Sequence, residues 1–99
     1  MHMQRYQEYY QKMIDENRDL FTRFFDVHDR FVLNPLTSQE EFNIVGHDIV
    51  EIIHEYERKL CGHSEKGQFG KFSSNLAEKF WTEVRKDFPK IDFVGVKIT

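Results

Sequence analysis

The chain has 99 residues and a formal net charge of −3, with 39% hydrophobic and 31% charged residues. This length corresponds to one small domain, and the apolar content excludes a disordered chain. The longest apolar runs are only a few residues, which excludes a membrane-spanning helix. The single cysteine, Cys61, excludes an intramolecular disulfide, and the first 20 residues are too polar for a signal peptide. We therefore predict a cytoplasmic protein.

Aromatic and apolar residues recur at spacings of three and four over the first third of the chain. This seam consists of Met3, Tyr6, Tyr10, Met13, Asn17, Leu20, Phe24, Val27 and Phe31. Such a pattern predicts one long helix over residues 3–33, ending before Pro35 because proline disfavours helical geometry in the residue that precedes it. From Leu20 onward the apolar face widens to include Phe25 and Val32, which predicts contact with a globular core.

A second helix is predicted over residues 38–60. Either Thr37 or Ser38 can begin a capping box with the glutamate three residues later, which satisfies free backbone N–H groups at a helix start. The buried stripe of this helix consists of Phe42, Val45, Ile49, Ile52, Ile53, Tyr56 and Leu60. Gly62 is expected to follow its end, because glycine readily adopts the left-handed conformation of a helix C-cap.

A third helix is predicted to begin at residue 69 or 75 and to end at residue 88, before Pro89. Its stripe consists of Leu76, Phe80 and Val84. Residues 91–98 are rich in β-branched side chains and could form an extended tail or a single strand. The predicted fold class is therefore all-α: one domain over residues 1–99, built as a small three-helix bundle with a long N-terminal helix and an extended tail over residues 89–99.

The predicted helix lengths indicate a dimer. The first helix would span about 45 Å and the second about 35 Å, so an antiparallel second helix would leave the amino-terminal end of the first uncovered. We expect a second copy of the chain to cover it, giving a homodimer in which Asn17 fixes the register. The predicted interface consists of Met3, Tyr6, Tyr10, Met13 and Asn17. A frayed, exposed N-terminus is the alternative.

One face of the second helix resembles a metal site in its composition. His47, Glu51 and His54 recur at spacings of four and three, and Glu51 with His54 has the Glu-x-x-His form found in helical di-iron proteins. A helical projection places them opposite the apolar stripe, which favours an ordinary solvated face. We predict no metal or cofactor, and a metal-binding bundle using these residues is an alternative function.

The last third of the chain contains a second alternative site. Basic residues of the 66–86 segment lie on one side of the third helix, and they are Lys71, Lys79, Arg85 and Lys86. Such a patch could contact phosphates, but the overall acidity makes nucleic-acid binding an alternative rather than the prediction. His28 lies on an apolar face and is expected to be structural, bonded to a carbonyl. Cys61 lies at a helix C-terminus, where the helix dipole disfavours a reactive thiolate.

The function predicted from these patterns is protein–protein association without catalysis. The chain is expected to be a small cytoplasmic adaptor or regulatory homodimer, with an unidentified protein as a further partner. No membrane partner is expected. The sequence specifies neither a small molecule nor the biological process.

Overall fold

A computed structural model describes residues 4–65 and 70–97, with side chains described for residues 4–62 and 75–97. The chain is helical, as predicted, and the described residues contain no β-strand. Residues 4–65 and 70–97 form four helices rather than three, followed by a short 3₁₀ turn. They are α1 (Arg5–Glu16), α2 (Arg18–Leu33), α3 (Pro35–Glu65), α4 (Gly70–Asp87) and the turn Ile91–Phe93. No helix within the described residues combines the length and apolar content needed to cross a membrane.

The predicted helix over residues 3–33 is interrupted at Asn17, which separates α1 from α2. Asn17 has φ −128° and ψ 39°, outside the helical region. Its side-chain amide donates a hydrogen bond to the carbonyl oxygen of Met13 over 3.0 Å. Asparagine competes with the helical backbone for such partners, so it favours helix ends over helix interiors. The longest helix is consequently α3, with 31 residues, and not the N-terminal one.

A single residue, Asn34, joins α2 to α3. Pro35 begins α3, at a position where the missing proline N–H leaves no bond unmade. Thr37 and Ser38, the predicted cap residues of the second helix, therefore lie inside the first turn of α3. The Ser38 hydroxyl donates to the carbonyl of Arg30 over 3.3 Å, which ties the new helix to the end of the previous one. α3 also continues past the predicted stop at Gly62.

Aromatic rings of α2 and α3, together with Phe88 directly after α4, form the centre of the core. The Phe31 ring of α2 stacks on Phe42 of α3, with centroids 4.0 Å apart and planes 9° apart. Phe24 lies between Phe42 and Phe88, at centroid distances of 5.5 and 4.9 Å. The remaining buried apolar residues are Tyr10, Met13, Phe21, Val27, Val45, Ile49, Ile53, Tyr56, Leu60, Phe80, Val84 and Ile91. The core therefore receives residues from all four helices.

The C-terminal segment is neither a strand nor a loose tail over its described part. It turns back over α3, and Asn43 of that helix binds it at two points. The Asn43 Oδ1 accepts from the backbone N–H of Gly95 over 2.9 Å, and its Nδ2 donates to the carbonyl of Val96 over 3.3 Å. Because the segment has this intramolecular support, its β-branched residues need no strand partner.

Candidate functional site

The predicted dimer interface on the first helix loses its physical premise in this fold. Tyr10 and Met13 are buried beneath the chain's own helices, and Tyr6 is half-buried. The Tyr10 hydroxyl donates to Asp87 of α4 over 2.7 Å, and its ring meets Phe80 edge-on. The length argument was wrong because α3 is eight residues longer than predicted and α4 also covers α1. Met3 lies outside the described residues.

The predicted metal face divides into two separate pairs. His47 Nε2 lies 3.5 Å from a carboxylate oxygen of Glu51, and the ligand atoms of Asp48 are close to both. His54 instead contacts Glu57 over 3.1 Å, and its ring lies against Trp81 with centroids 5.4 Å apart. His47, Asp48 and Glu51 are all exposed, so this arrangement is a group of polar side chains on a solvated face.

The predicted basic patch is partly neutralised within the chain. Arg85 makes two hydrogen bonds with the carboxylate of Asp92, at 3.0 and 3.1 Å. Lys86 pairs with Glu83 over 2.6 Å. Residues 66–69 and the side chain of Lys71 lie outside what the structure describes. The Arg85 and Lys86 pairings leave less positive charge for phosphate contacts than the sequence indicated.

A groove between the end of α2 and the end of α4 is the surface that the sequence did not predict. Its lining residues are His28, Asp29, Val32, Leu33, Asp87 and Pro89. We call this surface the α2–α4 groove. Phe25 lies beside the groove, two turns before Val32 on the same side of α2, and its ring centroid is 4.5 Å from that of Phe88. The groove is open to solvent and has a volume of about 430 Å³.

Large apolar side chains of this region remain in contact with water. Phe25 is 38% exposed, Val32 48% and Leu33 80%. The sequence placed Phe25 and Val32 on the core-facing side of the helix; the Phe25 ring does contact the buried Phe88, but both side chains keep a large exposed fraction. Phe24, Val27 and Phe31 occupy the middle of the wide apolar face, so the rest of the bundle covers the centre and leaves this margin open. The apolar face of this helix is wider than one neighbouring helix covers, and that width was the feature of the sequence that could have indicated an exposed margin.

His28 forms the buried wall of the groove. Its Nε2 accepts the backbone N–H of Lys90 over 3.1 Å, so its partner is a donor and not the carbonyl that the sequence predicted. Burial lowers the pKa of the imidazole below its ordinary value; the nearby Asp29 carboxylate opposes this shift and the Lys90 ammonium adds to it. The neutral ring therefore holds the C-terminal segment against α2.

Two carboxylates stand on opposite walls of the groove. Asp29 projects from α2 with its side chain 80% exposed, and Asp87 lies at the end of α4. In the described part of the chain, neither forms an ion pair with a lysine or arginine. The groove thus combines an apolar surface with negative charge on both sides.

Comparisons with protein-family models, with curated proteins and with solved structures found no match to this chain. The functional argument consequently depends on the groove and its residues alone.

Proposed function

We propose that this chain acts by protein–protein association and that the α2–α4 groove is its binding surface. The observation that carries the proposal is the exposure of Phe25, Val32 and Leu33 along one side of α2. Covering a side chain such as Leu33 contributes about 1.5–3 kcal/mol, so a partner that fills the groove would gain substantially. Apolar residues grouped beside polar neighbours are typical of interaction sites.

The chemistry of the groove favours binding over catalysis. His28 is the group lining it whose ordinary pKa suits a general base near neutral pH, and its Nε2 already accepts the Lys90 N–H. We therefore propose an adaptor or regulatory protein and not an enzyme. The cytoplasmic location remains part of the proposal and is supported by the single cysteine, Cys61.

A second copy of the chain is the alternative occupant of the groove. Such a homodimer would differ from the one expected from the sequence, because the α2–α4 groove and not α1 would form the interface. Both occupants require the same apolar residues, so one variant tests the proposed function in either case.

The test compares two single substitutions that each place a charge at an exposed apolar position. Leu33→Glu changes the groove, whereas Ile44→Glu changes a 64%-exposed site on α3 that does not line it. We expect proximity labelling in the native cell to yield a partner that Leu33→Glu loses and Ile44→Glu retains. The molar mass in solution, measured from about 5 to about 200 μM, tests for a homodimer. If a second copy fills the groove, Leu33→Glu should dissociate the dimer and Ile44→Glu should not. A partner or dimer that withstands Leu33→Glu as well as it withstands Ile44→Glu would overturn the proposal.

A further inference from the structure

We infer that the partner of the α2–α4 groove is a basic amphipathic helix supplied by another protein. The inference rests on the proposed function and specifies the chemistry of its ligand. Four features of the groove support it: the charge of its walls, the absence of a free strand edge among the described residues, the spacing of its apolar residues and the consequence of two-fold pairing.

The charge of the groove requires cations on the partner. A ligand that covers Val32 and Leu33 also removes water from Asp29 and Asp87, which stand on the two walls. Stripping water from a carboxylate without a new partner opposes binding. The nearby cations of the chain make their direct contacts elsewhere, since Arg30 bonds Asp26 and Glu41 and Lys86 pairs with Glu83. The Lys90 ammonium lies over the Phe93 ring, although its charge also acts on His28. Lysine or arginine side chains on the ligand would therefore supply the compensating charge.

The backbone of the groove requires a ligand with its own secondary structure. The walls are the C-terminal ends of α2 and α4, where the N–H groups are bonded within their own helices and only the last carbonyl groups lack an intrahelical partner. No strand edge among the described residues is available to pair with an extended peptide. A bound segment must satisfy its backbone hydrogen bonds internally, and a helix does this.

The spacing of the apolar residues suits such a helix. Phe25 and Val32 are seven residues apart on α2, which corresponds to two turns and about 10 Å along the axis. A ligand helix lying beside α2 would contact them with apolar residues at positions i, i+3 or i+4, and i+7. Asp29 lies between Phe25 and Val32 on the same side, next to the flank of that ligand helix.

Charge also argues against a second copy of the chain. A two-fold interface pairs the same patch of both copies, so a dimer formed through the groove would bring Asp29 and Asp87 of both copies, four carboxylates in all, into one interface. Like charges placed across an interface oppose association. A basic segment of a different protein avoids this repulsion.

The experiment uses two synthetic 18-residue peptides with identical leucine faces and fluorescent labels. One has lysine at all other positions and the second has glutamate. We expect fluorescence anisotropy with the full chain to show binding of the leucine–lysine peptide and at least tenfold weaker binding of the leucine–glutamate peptide. The affinity of the first should fall between about 50 and about 300 mM salt, because salt screens exposed charges.

Variants of the chain locate the contact. Asp29→Asn with Asp87→Asn should weaken leucine–lysine binding about three- to tenfold, the effect of removing two partly exposed ion pairs. The amide oxygen introduced at position 87 can still accept the Tyr10 hydroxyl, so the fold is retained. The control, Asp48→Asn with Glu55→Gln, removes the same charge from α3 and should leave the affinity unchanged. Methyl NMR shifts on peptide addition should concentrate at Val32 and Leu33.

The outcomes separate the inference from the proposed function. Equal binding of both peptides, equal loss in both pairs of variants, or methyl shifts away from the groove would overturn the basic-helix inference. If Leu33→Glu still abolished capture of the cellular partner, the proposed function would stand without it. A dimer in solution that Leu33→Glu dissociates would likewise support the proposed function and overturn this inference.

Discussion

Val94 of the C-terminal turn lies directly on Gly46 in the middle of α3. A Cβ atom at position 46 would lie 2.7 Å from Cγ2 of Val94 and 3.0 Å from its Cγ1. Glycine is the weakest helix former after proline, so its presence inside α3 opposes the local preference of the helix. The absent side chain makes room for the turn, and the contact fixes where the C-terminal segment lies.

This contact predicts that the effect of Gly46→Ala on folding stability changes sign according to whether residue 94 is valine or alanine. In the unaltered chain, overpacking opposes folding by about 1–3 kcal/mol and exceeds the helix-propensity gain of about 1 kcal/mol. Urea unfolding should therefore show a net destabilisation. In the Val94→Ala background the clash is removed, and the same Gly46→Ala change should stabilise. Equal effects in both backgrounds would show that Val94 does not contact position 46 closely.

Stability is expected to fall on mild acidification because of His28. Its pKa in the folded chain is lowered from 6.5, chiefly by burial, so below pH 6.5 the unfolded chain takes up a proton that the folded chain resists. The stability that the neutral His28 contributes is fully present above pH 6.5 and is lost as the pH falls toward the lowered pKa of the folded chain. Urea midpoints between about pH 5 and about pH 8 measure this loss.

The matched variant for that measurement is His28→Gln. Its side-chain oxygen can accept the Lys90 N–H and does not titrate in this range, so the decline between pH 6.5 and about pH 5 should become shallower. The pKa of Glu41 is also shifted, downward from 4.5 by its bond to Arg30, and its contribution is lost at pH values below this window. An unchanged pH profile in His28→Gln would assign the decline to other groups.

Asn43 is predicted to govern local opening of the C-terminal segment. Asn43→Ala removes the acceptor of the Gly95 N–H and the donor to Val96, so amide exchange at Gly95 should accelerate. Amides in the core of α3 should exchange with protection reduced by no more than about 1 kcal/mol, the net contribution of one such bond. Asn75→Ala, an exposed change on α4, serves as control. Equal acceleration along the whole chain would indicate global rather than local destabilisation.

The hydrogen bond between Tyr10 and Asp87 links α1 to the end of α4. Tyr10→Phe should destabilise the fold by about 1 kcal/mol, because it removes one partly buried bond while the ring stays against Phe80. Tyr10→Ala should destabilise by about 3–5 kcal/mol, because the ring is lost as well. Tyr6→Phe is the control for the hydroxyl alone. Thermal and urea unfolding of these variants give the comparison, and a neutral Tyr10→Phe would contradict the bonding role.

Asn17 shows what the sequence could predict of the fold and what it could not. The spacing of apolar residues correctly predicted helix on both sides of it, because that spacing reports only which face is buried. The interruption depends on one side-chain bond to Met13, which residue spacing does not contain. The argument that the amino-terminal end of the first helix lies uncovered was wrong for a different reason, since α3 is longer than predicted and α4 also covers α1; an interface on α1 stays a prediction.

The candidate site was less predictable than the fold. Phe25 and Val32 have the same residue types and nearly the same helical positions as their buried neighbours, so periodicity alone could not show which side stays open. That depends on where α4 ends and on how the Pro89 turn returns to α2, both of which are tertiary relationships. His28 was correctly expected to be structural, but its partner lies 62 residues away in the chain.

The one-residue junction at Asn34 has a kinetic consequence. Phe31 and Phe42 are close in sequence, so their contact closes a short loop and loses little chain entropy. We therefore expect α2 and α3 to associate before α4 packs on them. The C-terminal segment that carries Val94 should reach its place last. In stopped-flow experiments Phe42→Leu should then slow refolding, whereas Val94→Ala should mainly accelerate unfolding. The reverse pattern would place the start of folding elsewhere.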